Sequence, residues 1–291
     1  MARVLGSRRG AASGVARLRP LSRVALTALL ASSLPASADE APSWPERPAL
    51  RIMESGASAG ERAPLRVFLD AGHGAEDNTG NRSSYCVAEQ EFTQSLAEDV
   101  SEALTSAGLE TRLSRQRGDV VSYAERVQAA RDWNADVLIS LHSDIRGKAE
   151  GWSPRAGVTC LRSRDAPGMS VLLSDAAPAD AVTRSLAFAT AFGAGITDAG
   201  FLAYDGATYG SDYAKVGAAG VFWDRHPQPR RIYMLHAAGI PAVLIETHNA
   251  LDDREARLWD SPFTRQAFAA LVLQSLRRAW AQPAARAGTV R

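Results

Sequence analysis

The chain has 291 residues, 46% hydrophobic and 22% charged, with a formal net charge of +1. This is ordinary globular composition, with room for one large domain or two small ones. The charge is uneven: residues 1–38 hold six arginines and no acid, so the remainder is mildly acidic and gives no reason to expect a nucleic-acid partner.

Residues 1–38 read as a secretion signal. A basic leader precedes the apolar run from Val24 to Leu34, and Ala36-Ser37-Ala38 forms a small-x-small cleavage site ahead of Asp39. The run is about half the length needed to span a bilayer; the alternative is an uncleaved anchor. Arg8-Arg9 lies too far upstream of the run to favour twin-arginine export. No later segment is long and apolar enough to cross a membrane, so no stable span is expected once the signal is removed. The expected location is the periplasm or the cell exterior. Export would put Cys86 and Cys160, the only two cysteines, in an oxidising compartment where they can pair; two free or buried thiols are the alternative.

Residues 39–64 are rich in Pro, Ala, Ser and Gly and read as a linker. Its Gly56-Ala-Ser-Ala-Gly60 matches a nucleophile elbow in letters only, because Pro64 follows and no amphipathic helix does. From Leu65 the pattern becomes α/β. Strands are predicted at 65–69, 109–113, 137–141, 157–161 and 242–245. Helices are predicted at 89–107, 122–133, 180–194 and 262–280. Ser122 and Glu125 form a capping box. Residues 200–231, rich in Gly, Tyr and Pro, read as a long loop with little regular structure, and residues from 282 onward as a tail. Strands alternating with helices predict a twisted, mostly parallel sheet covered by helices on both faces, in a single α/β domain.

Three apolar strands end in unusual polar groups. Val67-Phe68-Leu69 runs into Asp70-Ala-Gly-His73-Gly74, 137–141 ends at His142, and Val243-Leu-Ile245 ends at Glu246. A histidine between two glycines is either part of a tight turn or a metal ligand placed where the backbone needs glycine's freedom. In a parallel sheet, strand C-termini share one edge and ligands bind outside it. A helix following such a strand starts at that edge, which admits Glu89 or Glu91. Glu89 lies three residues before Phe92 and seven before Leu96, on the apolar stripe, whereas Glu91 lines up with Ser95, Glu98 and Glu102. A carboxylate on the buried stripe is costly unless paired or bound to a metal; the alternative for Glu89 is a first-turn acid favoured by the helix dipole. His73, Glu89 and His142 would leave a fourth position open, as in catalytic zinc sites, and Glu246 would supply the acid–base group for metal-assisted hydrolysis. Ser140, His142 and Asp144 contain the three serine-hydrolase residue types, but neighbours on one strand point to opposite faces and do not form a relay.

Asp70-Ala-Gly-His-Gly74 after a strand, Glu89 opening a helix, Ser140-Leu-His-Ser-Asp144 after a strand and Pro241-Ala-Val-Leu-Ile-Glu-Thr247 resemble the zinc-dependent N-acetylmuramoyl-L-alanine amidases of the amidase-3 type. The resemblance spans about Leu65 to Trp280. It implies one zinc ion held by His73, Glu89 and His142, with Glu246 as catalytic glutamate. It also implies cleavage of the amide between the lactyl group of N-acetylmuramic acid and L-alanine, with peptidoglycan as substrate. The chain departs from the family pattern at Ala75, at 247–251 and in a longer segment from about Tyr204 to Arg231. The expected organisation is signal (1–38), linker (39–64), zinc amidase domain (65–281) and tail (282–291). No blocking helix or activator site is visible. A silent cell-wall-binding or regulatory protein on the same fold, and a zinc peptidase cutting the stem peptide, are the competing readings. His248, two residues past Glu246 and expected to point the same way from an extended chain, and His236 are further candidates for substrate contact or support; His226 reads as a loop residue.

Overall fold

The structure is a computed structural model and describes residues 50–54 and 64–281. The expected signal, Gly56–Gly60 and the tail lie outside the described residues. No helix among the described residues is long and apolar enough to cross a membrane.

A seven-stranded sheet forms the frame. Its strands are β1 (Arg66–Ala71), β2 (Glu110–Leu113), β3 (Val137–Asp144), β6 (Ser170–Leu173), β7 (Tyr213–Lys215), β8 (Val221–Asp224) and β9 (Ala242–Asn249), in the order β2-β1-β3-β9-β6-β8-β7. The first four run parallel. At β6 the direction reverses: β6 is antiparallel to β9 and parallel to β8, and β7 is antiparallel to β8. The mostly parallel sheet is therefore as expected, with a reversed flank.

Alternation along the strands feeds two cores. Val67, Leu69, Ile139, Leu141, Val243 and Ile245 face α1 (Glu89–Ser106), α3 (Ala179–Asp198) and α6 (Pro262–Ala281), where Leu96, Phe192 and Phe268 are fully buried. Phe68, Leu138, Leu172 and Leu244 face the other way, towards α2 (Tyr123–Asp132) and the short α4 (Tyr233–His236). The capping box on α2 is present: Glu125 N donates to Ser122 Oγ at 3.3 Å and Ser122 N to Glu125 Oε2 at 2.9 Å.

Three features differ from the sequence reading. The segment 200–231 is not a plain loop, because it supplies β7 and β8. These strands have three and four residues, too short for their alternation to stand out among glycines. The strand expected at 157–161 exists as β5 (Val158–Arg162) but pairs only with β4 (Glu150–Arg155), in a hairpin apart from the main sheet. Strand β6 and the one-to-two-turn helices α4 and α5 (Asp253–Trp259) carry too little sequence for a period to show. The hairpin is fastened to the chain leading into α1: Cys86 and Cys160 form a disulfide with Cα atoms 5.6 Å apart, and Trp152 Nε1 donates to Ser84 O at 2.7 Å. The cysteines are thus paired.

Candidate metal centre

The C-terminal ends of β1 and β3 and the first turn of α1 meet at one edge. There His73 Nε2 lies 3.0 Å from Glu89 Oε2, His142 Nδ1 lies 3.1 Å from Glu89 Oε1, and the two imidazole nitrogens are 3.2 Å apart. The three side chains offer one ligand atom each, all within 4.8 Å of one another, and form a group able to hold a metal ion. Glu89 is buried and Glu91 exposed, so the helix phase read from the apolar stripe is the phase found.

Each ligand is oriented by a specific neighbour. Asn78 Oδ1 takes the His73 Nδ1 side at 2.8 Å, which leaves Nε2 facing the other two groups. Each oxygen of Glu89 also accepts a backbone amide, from Ser143 at 2.9 Å and Asn81 at 3.0 Å. Burial pushes the Glu89 carboxyl up, but the hydrogen bonds from His142 and His73 outweigh it and hold the group well below the usual carboxylate range. Burial pushes His73 down, and its contacts with Glu89 raise it by more.

The glycines around His73 have separate reasons. A Cβ on Gly72 would come within 2.5 Å of the His142 ring, so the strand end must be bare for the imidazole to pass. Gly74 has φ +72° and packs against the Arg115 guanidinium, whose Nε would be 2.8 Å from a Cβ there. His73 itself has φ +58°, a left-handed conformation that costs a non-glycine residue about 1–2 kcal/mol.

Glu246 sits on β9, in register with His142 of β3 on one side and Ser170 of β6 on the other. Its Oε2 is shut off from solvent and has no hydrogen-bond partner among the described residues. Burial, then the charges of Asp144 and Glu89, push its carboxyl well above the usual range, and Arg146 opposes them only in part. Arg146, itself buried, pairs with Asp144 at 2.9 Å and donates to Gly168 O at 2.6 Å, with its guanidinium 3.9 Å from the Tyr204 ring centroid.

None of the other histidines joins the ligand group, although His248 Nδ1 lies 2.8 Å from Thr247 Oγ1, which donates to His142 O at 2.9 Å. A register shift between β3 and β9 after His142 breaks the two-residue alternation, so His248 does not follow Glu246. It packs between α1 and α5, stacked on Trp259 at 5.6 Å between centroids and edge-on to Phe92 at 5.1 Å. Burial drives it down to about 3, so it is neutral. His236 bonds the carbonyl of Ile232 at 3.0 Å and packs on Tyr233, in the helix that precedes the N-terminal end of β9. His226 is held by Asp224 at 2.7 Å. Ser140 Oγ donates to Asp70 at 2.6 Å and Asp144 pairs with Arg146, so the serine-relay geometry is absent from that strand.

The sequence reading did not single out Asn78, Asn81, Arg115, Arg126 or Arg146. A signal existed for Arg126: it follows Tyr123 by three residues and precedes Ala130 by four, a charge on the inner stripe of α2 just as Glu89 is on that of α1.

Residues 67–278 match the N-acetylmuramoyl-L-alanine amidase family, Amidase_3. The chain is 27% identical over 237 residues to the N-acetylmuramoyl-L-alanine amidase AmiA of Escherichia coli, a match covering 75% of this chain and 76% of that one. Over 87 residues it is 33% identical to the sporulation-specific N-acetylmuramoyl-L-alanine amidase of Bacillus subtilis, covering 28% of this chain and 32% of that one. Among solved structures it is similar to the N-acetylmuramyl-L-alanine amidase of Mycobacterium smegmatis, with TM-score 0.58 and 23% identity over 76% of this chain and 99% of that one. The corresponding amidase of Mycobacterium abscessus gives TM-score 0.57 and 21% identity over 75% and 100%. At these identities the structural likeness speaks for the fold.

Proposed function

Because the chain belongs to the N-acetylmuramoyl-L-alanine amidase family and hydrolyses the MurNAc–L-alanine amide of peptidoglycan, we propose that His73, Glu89 and His142 hold one catalytic zinc ion and that Glu246 transfers the proton. The observation that carries this reading is the convergence of two imidazole nitrogens and a carboxylate within 4.8 Å. Two imidazole nitrogens and one carboxylate oxygen suit zinc and leave a position open. The cradle is also shaped for it: a Cβ on Gly80 would come within 2.6 Å of Glu89 Oε2 and 2.7 Å of the His73 ring. A zinc ion held by these three residues would supply Lewis acidity for a bound water and for the scissile carbonyl.

The remaining chemistry belongs to the chain. Asn78 fixes the His73 tautomer, and Glu89 stays ionised between two imidazoles. Glu246 takes a proton from the attacking water and returns it to the leaving L-alanine nitrogen; a carboxyl with raised proton affinity suits both steps. The arginine-rich leader and the Cys86–Cys160 bridge support export to the periplasm or beyond.

The test is mass spectrometry of products from purified peptidoglycan, with and without chelator, alongside metal analysis of protein prepared without added metal. Free stem peptides beginning at L-alanine, one zinc per chain and abolition by chelator are expected. Cleavage inside the stem peptide would move the enzyme to the peptidases, and full activity in metal-free protein would sink the zinc assignment.

A further inference from the structure

The loop that carries His73 is held through its carbonyl oxygens by two buried arginines from different elements. Arg126, on α2, is fully buried and uses all five of its N–H donors. Nη1 donates to Asp70 Oδ1 at 3.1 Å and Ala71 O at 2.9 Å, and Nη2 to His73 O at 2.5 Å and Val121 O at 2.8 Å. Nε donates to Val121 O at 3.0 Å. Arg115, after β2, donates to Ala71 O at 3.0 Å, Gly72 O at 3.1 Å and Gln90 O at 2.8 Å. Three successive carbonyls, of residues 71, 72 and 73, therefore point at guanidinium groups.

This arrangement couples the platforms of the three metal-facing residues. Asp70 takes Arg126 on one oxygen and Ser140 Oγ on the other at 2.6 Å, and Ser140 lies two residues before His142 on β3. Arg115 reaches Gln90, the residue after Glu89. The His73 carbonyl direction follows from its left-handed backbone, and that backbone also decides where the imidazole points.

We propose that Arg126 is a positioning residue for the metal centre: by holding the His73 carbonyl it keeps that residue left-handed and its imidazole turned to Glu89 and His142. The inference rests on the metal-site reading above. A lysine keeps the charge but has neither the planar fork nor five donors, so it cannot bridge Asp70, Ala71, His73 and Val121 together.

The test uses the whole protein with its disulfide intact, stripped of metal and titrated with Co2+ as the probe. Affinity is read by competition with a chromophoric chelator, geometry by the visible absorption bands, and folding by circular dichroism and melting. R126K is expected to fold and to bind cobalt about 10–100-fold more weakly, the usual cost of losing a group that orients a ligand, with shifted bands. V127A removes core packing from the same turn of α2. It is expected to lower the melting temperature while keeping native cobalt affinity and spectrum. Folded R126K with native affinity and bands overturns the proposal, and so does an equal loss of affinity in V127A. If R126K does not fold, S140A, which frees only one oxygen of Asp70, is expected to weaken cobalt binding at least about threefold with altered bands; native binding there also overturns it. A native protein that takes up no cobalt overturns the metal-site reading itself, before any variant is made.

Discussion

The metal end of the site and the seam between β9 and β6 each hold a glutamate, and they treat it in opposite ways. At the metal end Glu89 meets two imidazoles and accepts two backbone amides, and the carboxylate is held ionised. At the seam Glu246 has an oxygen without a partner among the described residues, and burial with the charges of Asp144 and Glu89 raises its proton affinity. Two carboxylates on one sheet edge thus differ in proton affinity because one is hydrogen-bonded and the other faces burial and like charge. An ionised ligand and a group that exchanges protons are what metal-assisted amide hydrolysis requires.

The largest effect is expected from removing the glutamate at the metal end. Glu89→Ala should abolish zinc binding and turnover together, while Glu91→Ala, on the exposed face, should leave both near native; metal content and activity on one preparation check this. Equal metal loss in the two variants would erase the contrast between the helix faces.

Glu246→Gln comes next. It should keep zinc and fold yet lose about two to four orders of magnitude in turnover, the scale of a missing general acid–base group. Zinc loss would make Glu246 a ligand, and near-normal turnover would remove it from the mechanism.

The disulfide that ties the β4–β5 hairpin to the approach of α1 closes a long loop, with a sequence separation of 74. Chain-entropy arguments put its contribution at about 4 kcal/mol. Replacing both Cys86 and Cys160 by Ser should lower denaturant stability by up to that amount, and a variant as stable as the native protein would show that the hairpin anchors nothing.

The smallest effect concerns His248, which lies close to Glu246 in sequence but packs on Trp259 and Phe92 and reaches His142 only through the Thr247 hydroxyl. Its folded-state pKa of about 3 is below the unfolded value. Between the two the unfolded chain holds the proton and the folded chain does not. Stability is therefore complete above about pH 6.5 and falls as pH drops towards 3, by roughly 3 kcal/mol at pH 4. His248→Gln should flatten this acid-side loss while leaving turnover at neutral pH within about twofold, the scale of a residue outside the chemistry. An unchanged pH–stability curve would reject the buried neutral imidazole.

The amino-acid sequence by itself determined the parallel half of the sheet and its chemistry. β1, β3 and β9 are apolar runs interrupted only where a polar group is needed, and the stripe of α1 separates Glu89 from Glu91. Such signals are legible because periodicity and burial are local properties of a chain. Tertiary structure alone decided the rest. The reversal at β6 and the pairing of β7 with β8 rest on strands of three or four residues, too short to carry a period. The turn of His248 away from Glu246 depends on a register shift against β3, which needs both strands to exist. The holding of the His73 loop by Arg115 and Arg126 joins backbone carbonyls to side chains 43–55 residues away, and carbonyl oxygens leave no mark in a sequence.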